Sequence, residues 1–122
     1  MPVDSLQYIN IRAADANRTR DFYVRILGLR VGDRPPFKST GYWLYLGDDP
    51  VLHIVQKRAD EPPSTQTTGA IDHVAFRGVD IDATRLALTR EGLVFEEKVV
   101  PRDNTWQLFV LDPDGIRIEL NF

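Results

Sequence analysis

Two stretches of the chain alternate apolar and polar residues in the same way, LQYINIRAAD at 6–15 and IDHVAFRGVD at 71–80, 65 residues apart. Period-two alternation predicts a half-buried strand. Each stretch runs into an aspartate, Asp15 or Asp80, placed to cap a helix. The helix signals follow at once. ANRTRDFYVRILG puts Phe22, Ile26 and Leu27 on one face and ends at Gly28, and IDATRLALTREG puts Ala83, Leu86 and Ala87 on one face and ends at Gly92. Glycine just past a helix end suits a left-handed cap. Three strand candidates come after each helix: LRVGD, GYWLYLG and PVLHIVQK, then LVFEEKVV, TWQLFVL and IRIELNF. GDDP at 47–50 and DPDG at 112–115 read as the turns between the last two strands of each set.

The pattern is therefore βαβββ twice. It predicts a single α+β domain over 1–122, with module one at about 5–57, a polar, proline-containing linker at about 58–69, and module two at about 70–122. A repeat of about 60 residues closes a core poorly by itself, so two such modules are expected to pack together. The expected product is a curved mixed sheet, a cup, with the helices on its outer face.

Parity then assigns faces. Ile9, Ile11, Leu52, Ile54, Val74, Phe76, Ile118 and Leu120 fall on the helix side. Tyr8, Asn10, Arg12, His53, His73, Arg77, Arg117, Glu119 and Asn121 fall on the other, with Trp43 and Tyr45 expected beside them. Both histidines of the chain thus reach the face without helices. Two imidazoles and a carboxylate suit a divalent metal with positions left open for substrate. Their separations of 20 and 46 residues form no local motif, so this reading depends on the repeat bringing the strands together.

A plainer account stands beside it. His73 equally reads as a histidine hydrogen-bonded within the sheet. Glu119, between Ile118 and Leu120, then needs a partner such as Arg12, Arg77 or Arg117. Trp43, Tyr45 and Phe109 read as packing or as a substrate platform. The three arginines suit ordinary ion pairs or an anionic substrate. GDRPPFKSTG at 32–41 fits a mobile rim or a simple surface turn.

Composition narrows the functions. A net charge of −3 and a pI near 5.3 give no reason to expect nucleic acid as a partner. The absence of cysteine removes disulfides, thiolate ligands and a cysteine nucleophile, and agrees with a cytoplasmic protein. No apolar run approaches the roughly 20 residues of a membrane span, and the first residues do not read as a signal peptide. There is no GxSxG elbow and no glycine-rich phosphate loop.

The blocks DANRTRDFYVRILGL, WLYLGDDPVLHIVQ, GAIDHVAFRGVDIDA and QLFVLDPDGIRIELNF resemble those of the vicinal oxygen chelate superfamily across essentially the whole chain. That superfamily includes glyoxalase I, extradiol dioxygenases and bleomycin resistance proteins. The resemblance implies metal-ligand positions at Tyr8, His53, His73 and Glu119. His73 in IDHVAF and Glu119 in RIELNF match ligand-bearing blocks, and His53 matches a position that glyoxalase I-like members use. Tyr8 departs from the usual histidine and is expected to form pocket wall.

The function implied is a metal-dependent enzyme of glyoxalase type, a lyase or isomerase more than a dioxygenase, acting on a small substrate with vicinal oxygens. His53, His73 and Glu119 would bind Fe, Mn, Ni or Zn, and Glu119 would also move a proton as the catalytic residue. Tyr8, Asn10, Arg12, Trp43, Tyr45, Arg77, Phe109 and Asn121 would line the substrate site. The alternative is a metal-free binding protein like the bleomycin-binding members, and a third reading is an interaction module with a degenerate site. The resemblance also implies a homodimer, in which a site can draw on both chains.

Overall fold

The computed structural model describes residues 2–63, 68–101 and 103–122. The expected linker positions 64–67 lie outside the described residues. The chain forms two compact units, 1–63 and 64–122. Each unit is one βαβββ module with a four-stranded mixed sheet and a helix, so the α+β duplication expected from the sequence is present.

Module one consists of β1 (Ile9–Ala13), α1 (Ala16–Arg25), β2 (Arg30–Gly32), β3 (Gly41–Leu46) and β4 (Asp49–Gln56), in sheet order β1-β4-β3-β2. Module two repeats this with β5 (Val74–Arg77), α2 (Ile81–Arg90), β6 (Phe95–Val100), β7 (Thr105–Leu111) and β8 (Arg117–Asn121), in order β5-β8-β7-β6. The first and last strands of each module run parallel, with Asn10 opposite His53 and Ala75 opposite Glu119. The other pairings are antiparallel. His53 and Glu119 therefore hold the same place in their modules.

Both helices start as the aspartates predict. Asp15 accepts from the backbone N–H of Asn17 and Arg18, and Asp80 from that of Ala83, supplying acceptors to first-turn donors that have none within the helix. At the far end of α2, Gly92 takes φ +68°, while its N–H and that of Leu93 bond back to the carbonyls of Thr89 and Leu88. This is a Schellman closure, and a side chain at Gly92 would strain it. In the DPDG turn, the buried Asp112 carboxylate accepts from the N–H groups of Asp114 and Ile116 at 2.8 and 2.9 Å.

Each core lies between a helix and one face of its sheet. In module one Ile11, Leu44, Leu52 and Ile54 are buried together with Phe22, Tyr23 and Ile26 from α1 and its end. In module two Leu108, Val110, Ile118 and Leu120 are buried, with Leu88 from α2. The expected inner face of α2 needs correction. Ala83 is exposed and Leu86 is 50% exposed, whereas Leu88 is fully buried. The inward stripe is Ile81, Thr84, Arg85 and Leu88, spaced i, i+3, i+4, i+7. Two polar residues can sit on it because both are partnered. The Thr84 hydroxyl donates to the Asp80 carbonyl at 2.9 Å, and Arg85 Nε donates to Glu97 of β6 at 2.5 Å.

Candidate functional site

In module two the alternation along β8 buries Ile118 and Leu120 and turns Glu119 to the opposite face, where its neighbours across the sheet are Ala75 and Phe109. His73 is the residue just before β5, not an interior strand position as its apolar surroundings suggest. Its Nε2 lies 3.5 Å from Glu119 Oε1, and its Nδ1 lies 2.7 Å from Asp72 Oδ2. An ionised carboxylate only accepts hydrogen bonds, so Nδ1 carries the proton in the contact with Asp72. In the neutral ring, Nε2 is then an acceptor facing another acceptor, Glu119.

The surroundings hold this pair. Gln107 Nε2 donates to Glu119 Oε1 at 3.3 Å, and Asn121 Nδ2 donates to Oε2 at 3.0 Å. The Glu119 carboxylate is thus satisfied by two amides, and none of the three candidate arginines takes that place. Arg117 instead stands over the Phe109 ring, 4.3 Å from its centroid, with Nη1 3.5 Å from Asp72. The hydrogen bond from His73, reinforced by its charge when protonated and by Arg117, keeps the Asp72 carboxyl below the usual carboxylate range. Phe109 closes one side, presenting a T-shaped contact to His73 at 6.3 Å.

The matching corner of module one is built from rings. His53 is 7% exposed and lies between Tyr8 and Trp43, stacked on both at centroid distances of 3.8 and 4.1 Å. Phe37, from the loop between β2 and β3, leans on Trp43 at 6.3 Å. The Arg34 guanidinium holds that loop through the Ser39 carbonyl and hydroxyl at 2.9 and 3.0 Å, and lies over Phe37. Burial pushes the His53 pKa down; a backbone hydrogen bond at Pro50 opposes this and nearby Arg34 adds to it. His53 Nε2 is buried and has no hydrogen-bond partner among the described residues.

The other expected residues are distributed more loosely. Asn10 and Arg77 are exposed on β1 and β5. Arg12 is clasped by Glu61 through two nitrogens, which holds the Glu61 carboxyl down at about 2 and ties up this guanidinium. Tyr45 donates to the Asp33 carbonyl at 2.5 Å and lies under Arg30. Sequence reasoning missed Asp72 and Gln107. Gln107 shares parity with Phe109 on β7 and was legible in principle, whereas Asp72 gains meaning only from the imidazole beside it.

A family-wide comparison matches residues 5–120 to the Glyoxalase/Bleomycin resistance protein/Dioxygenase superfamily. The chain belongs to that superfamily. Among solved structures, it is similar to a glyoxylase/bleomycin resistance protein/dioxygenase domain from Frankia sp. EAN1pec, at 17% identity and TM-score 0.80, with 98% of each chain covered. A glyoxalase family protein from Enterococcus faecalis is 27% identical with TM-score 0.71, and both chains are covered completely. An integron cassette protein from V. cholerae is 19% identical with TM-score 0.70, covering 99% of this chain and 96% of the other.

The superfamily commonly uses divalent metals. Among the described residues, no group of three or more His, Cys, Asp and Glu is placed to hold one. The structure brings His73 and Glu119 together, and it sets His53 with Tyr8 and Trp43. The His73–Glu119 pair fits a cation as two donors, because a cation between them relieves two opposed acceptors. No helix among the described residues is long and apolar enough to cross a membrane.

Proposed function

We propose that this superfamily member is a glyoxalase-type enzyme that acts on a small molecule with vicinal oxygens through a divalent metal held by His73 and Glu119. The observation that supports this reading is the imidazole with a carboxylate at each ring nitrogen. Hydrogen bonding of the second nitrogen to a carboxylate fixes the tautomer and orients the first toward a metal. When bound, a divalent metal supplies Lewis-acid stabilisation of an anion developing on the substrate oxygens. The protein's own part is to hold the donors. Asp72 orients His73, Gln107 and Asn121 fix the two oxygens of Glu119, and Phe109 shields one side. Glu119 is also the carboxylate that would move a proton. His53 is the only other histidine of the sequence and has a buried Nε2 without a partner among the described residues, so its variant is the comparison for the other two.

The experiment is a metal titration of untagged protein with Zn(II), Ni(II), Mn(II) and Fe(II), repeated on His73→Ala, Glu119→Gln and His53→Ala. About one equivalent in the wild type is expected, lost in the first two variants. Absence of binding by all four ions would overturn the proposal.

A second reading is favoured by the ring stack of module one, where two aromatic faces and a neutral imidazole suit a planar ligand held without chemistry. That reading requires ligand binding that survives a chelator, whereas the first requires a chelator to abolish turnover. The superfamily is typically small-molecule-binding and often dimeric, which accords with either.

A further inference from the structure

Next to the His73–Glu119 corner, module two has a pocket of about 430 Å³ whose walls include Val94, Glu96, Phe109, Leu111 and Arg117. That volume falls within the roughly 300–1,000 Å³ of small-molecule sites. Two of its wall residues are aliphatic and face solvent, Val94 at 90% exposed and Leu111 at 59%.

Module one shows what otherwise occupies this place. Trp43 stands opposite His53 as Phe109 stands opposite Glu119. Moving outward by register, the Arg30–Tyr45 pair of module one corresponds to Leu111 and Val94, one step beyond the Phe95–Val110 pair. Arg30 lies over the Tyr45 ring at 5.1 Å, and that ring leans so far over Gly32 that a Cβ there would meet it at 2.5 Å. Module one therefore fills the space with its own long side chains. In module two, valine and leucine leave it open, beside a phenylalanine whose ring touches both the pocket and His73.

We propose that this pocket takes an aromatic or branched apolar group of the small-molecule ligand, while the ligand's oxygen-bearing end lies at His73 and Glu119. The proposal rests on reading that corner as the ligand site. Phe109 forms the shared wall, and Arg117, already seated on Phe109 and Asp72, forms the rim.

The test fills the pocket with long side chains, Val94→Arg and Leu111→Tyr together, the residue types at the corresponding positions of module one. The first readout is line broadening of 4-fluorobenzyl alcohol in ¹⁹F NMR, which needs no metal. Broadening by the wild type and its loss in the double variant are expected. No broadening by the wild type, or equal broadening by both proteins, would overturn the pocket. The second readout is calorimetry of metal-loaded protein with pyruvate and phenylpyruvate, which share one chelating head. Phenylpyruvate is expected to bind at least about tenfold tighter to the wild type, with the advantage erased in the double variant and pyruvate unaffected. Equal affinities would overturn the selectivity. If the fluorinated alcohol binds but neither oxo acid does, the reading of the polar corner fails and the pocket stands. Leu111→Glu serves as a second variant should the pair fail to fold, as judged by its melting transition.

Discussion

In module one the imidazole of His53 has an aromatic ring on each face and an unpartnered nitrogen, while in module two the imidazole of His73 has a carboxylate at each nitrogen and one aromatic edge. The backbone frame beneath them is the same: Tyr8 and His73 precede the first strands, Trp43 and Phe109 sit on the third, and His53 and Glu119 sit on the last. The difference lies in the side chains at these three positions and in Asp72, where module one has Gln7. With tyrosine and tryptophan around it, an imidazole is desolvated and stacked. With two carboxylates around it, it meets Asp72 through Nδ1 and faces Glu119 through Nε2. A duplicated fold thus supplies two equivalent places, and local side-chain chemistry decides what each can do.

The largest effect should come from the frame itself. Leu52 and Ile118 are fully buried chain neighbours of His53 and Glu119 on the helix-covered faces of the two sheets. Alanine at either position should cost about 2–5 kcal/mol, read by denaturant unfolding. A loss within about 0.5 kcal/mol, the usual range for a surface site, would show that the two inner layers are not equivalent cores.

The polar corner comes next. Asp72→Asn keeps the shape but removes the charge, leaving a weaker amide acceptor and a competing NH2 donor beside His73 Nδ1. Metal affinity, measured by competition with a chromophoric chelator, should fall by about 10- to 100-fold. Unchanged affinity would mean that Asp72 pairs only with Arg117 and has no part in orienting the ring. Gln107→Ala sharpens the point, because it loosens Glu119 without touching the imidazole, and its effect should be smaller.

Most of the fold was legible in the sequence because its cues are local. Alternation, the capping aspartates and the closing glycines each act within a few residues, and the strands fall where those cues place them. The α2 face was misread because its half-buried stripe carries Thr84 and Arg85, whose polar groups are held there by Asp80 and Glu97. The candidate site was read by parity, which assigned His53, His73 and Glu119 to the helix-free face. Parity gives a side, not a neighbour. It could not tell that Glu119 would be held by amides instead of an arginine, that Arg12 would be taken by Glu61, or that Tyr8 would lie flat on His53.

The stack in module one gives the next smaller effect. Tyr8 is 44% exposed and precedes β1, yet its ring covers one face of His53 at 3.8 Å. Tyr8→Ala should cost about 0.5–1.5 kcal/mol, the contribution of a well-formed ring pair. It should also move the His53 pKa back up toward its ordinary value, since burial is the main cause of its depression. Proton NMR of the ring checks this directly, and an unmoved midpoint would assign the desolvation to Trp43 alone.

The smallest effect is a pH dependence at His53. The folded state binds a proton at His53 less readily than the unfolded chain does, because its pKa is lowered from 6.5 mainly by burial. Where the unfolded state holds more protons, stability rises with pH. This contribution is therefore fully present above the unfolded value near 6.5, and it declines as pH falls from there toward the lower folded value. His53→Phe keeps a flat ring between Tyr8 and Trp43 and removes the titration. Thermal melts at about pH 7.5 and about pH 5.5 should show a smaller acid-induced loss in the variant than in the wild type. An equal loss in both proteins would place the acid sensitivity elsewhere and leave His53 a purely packing residue in that range.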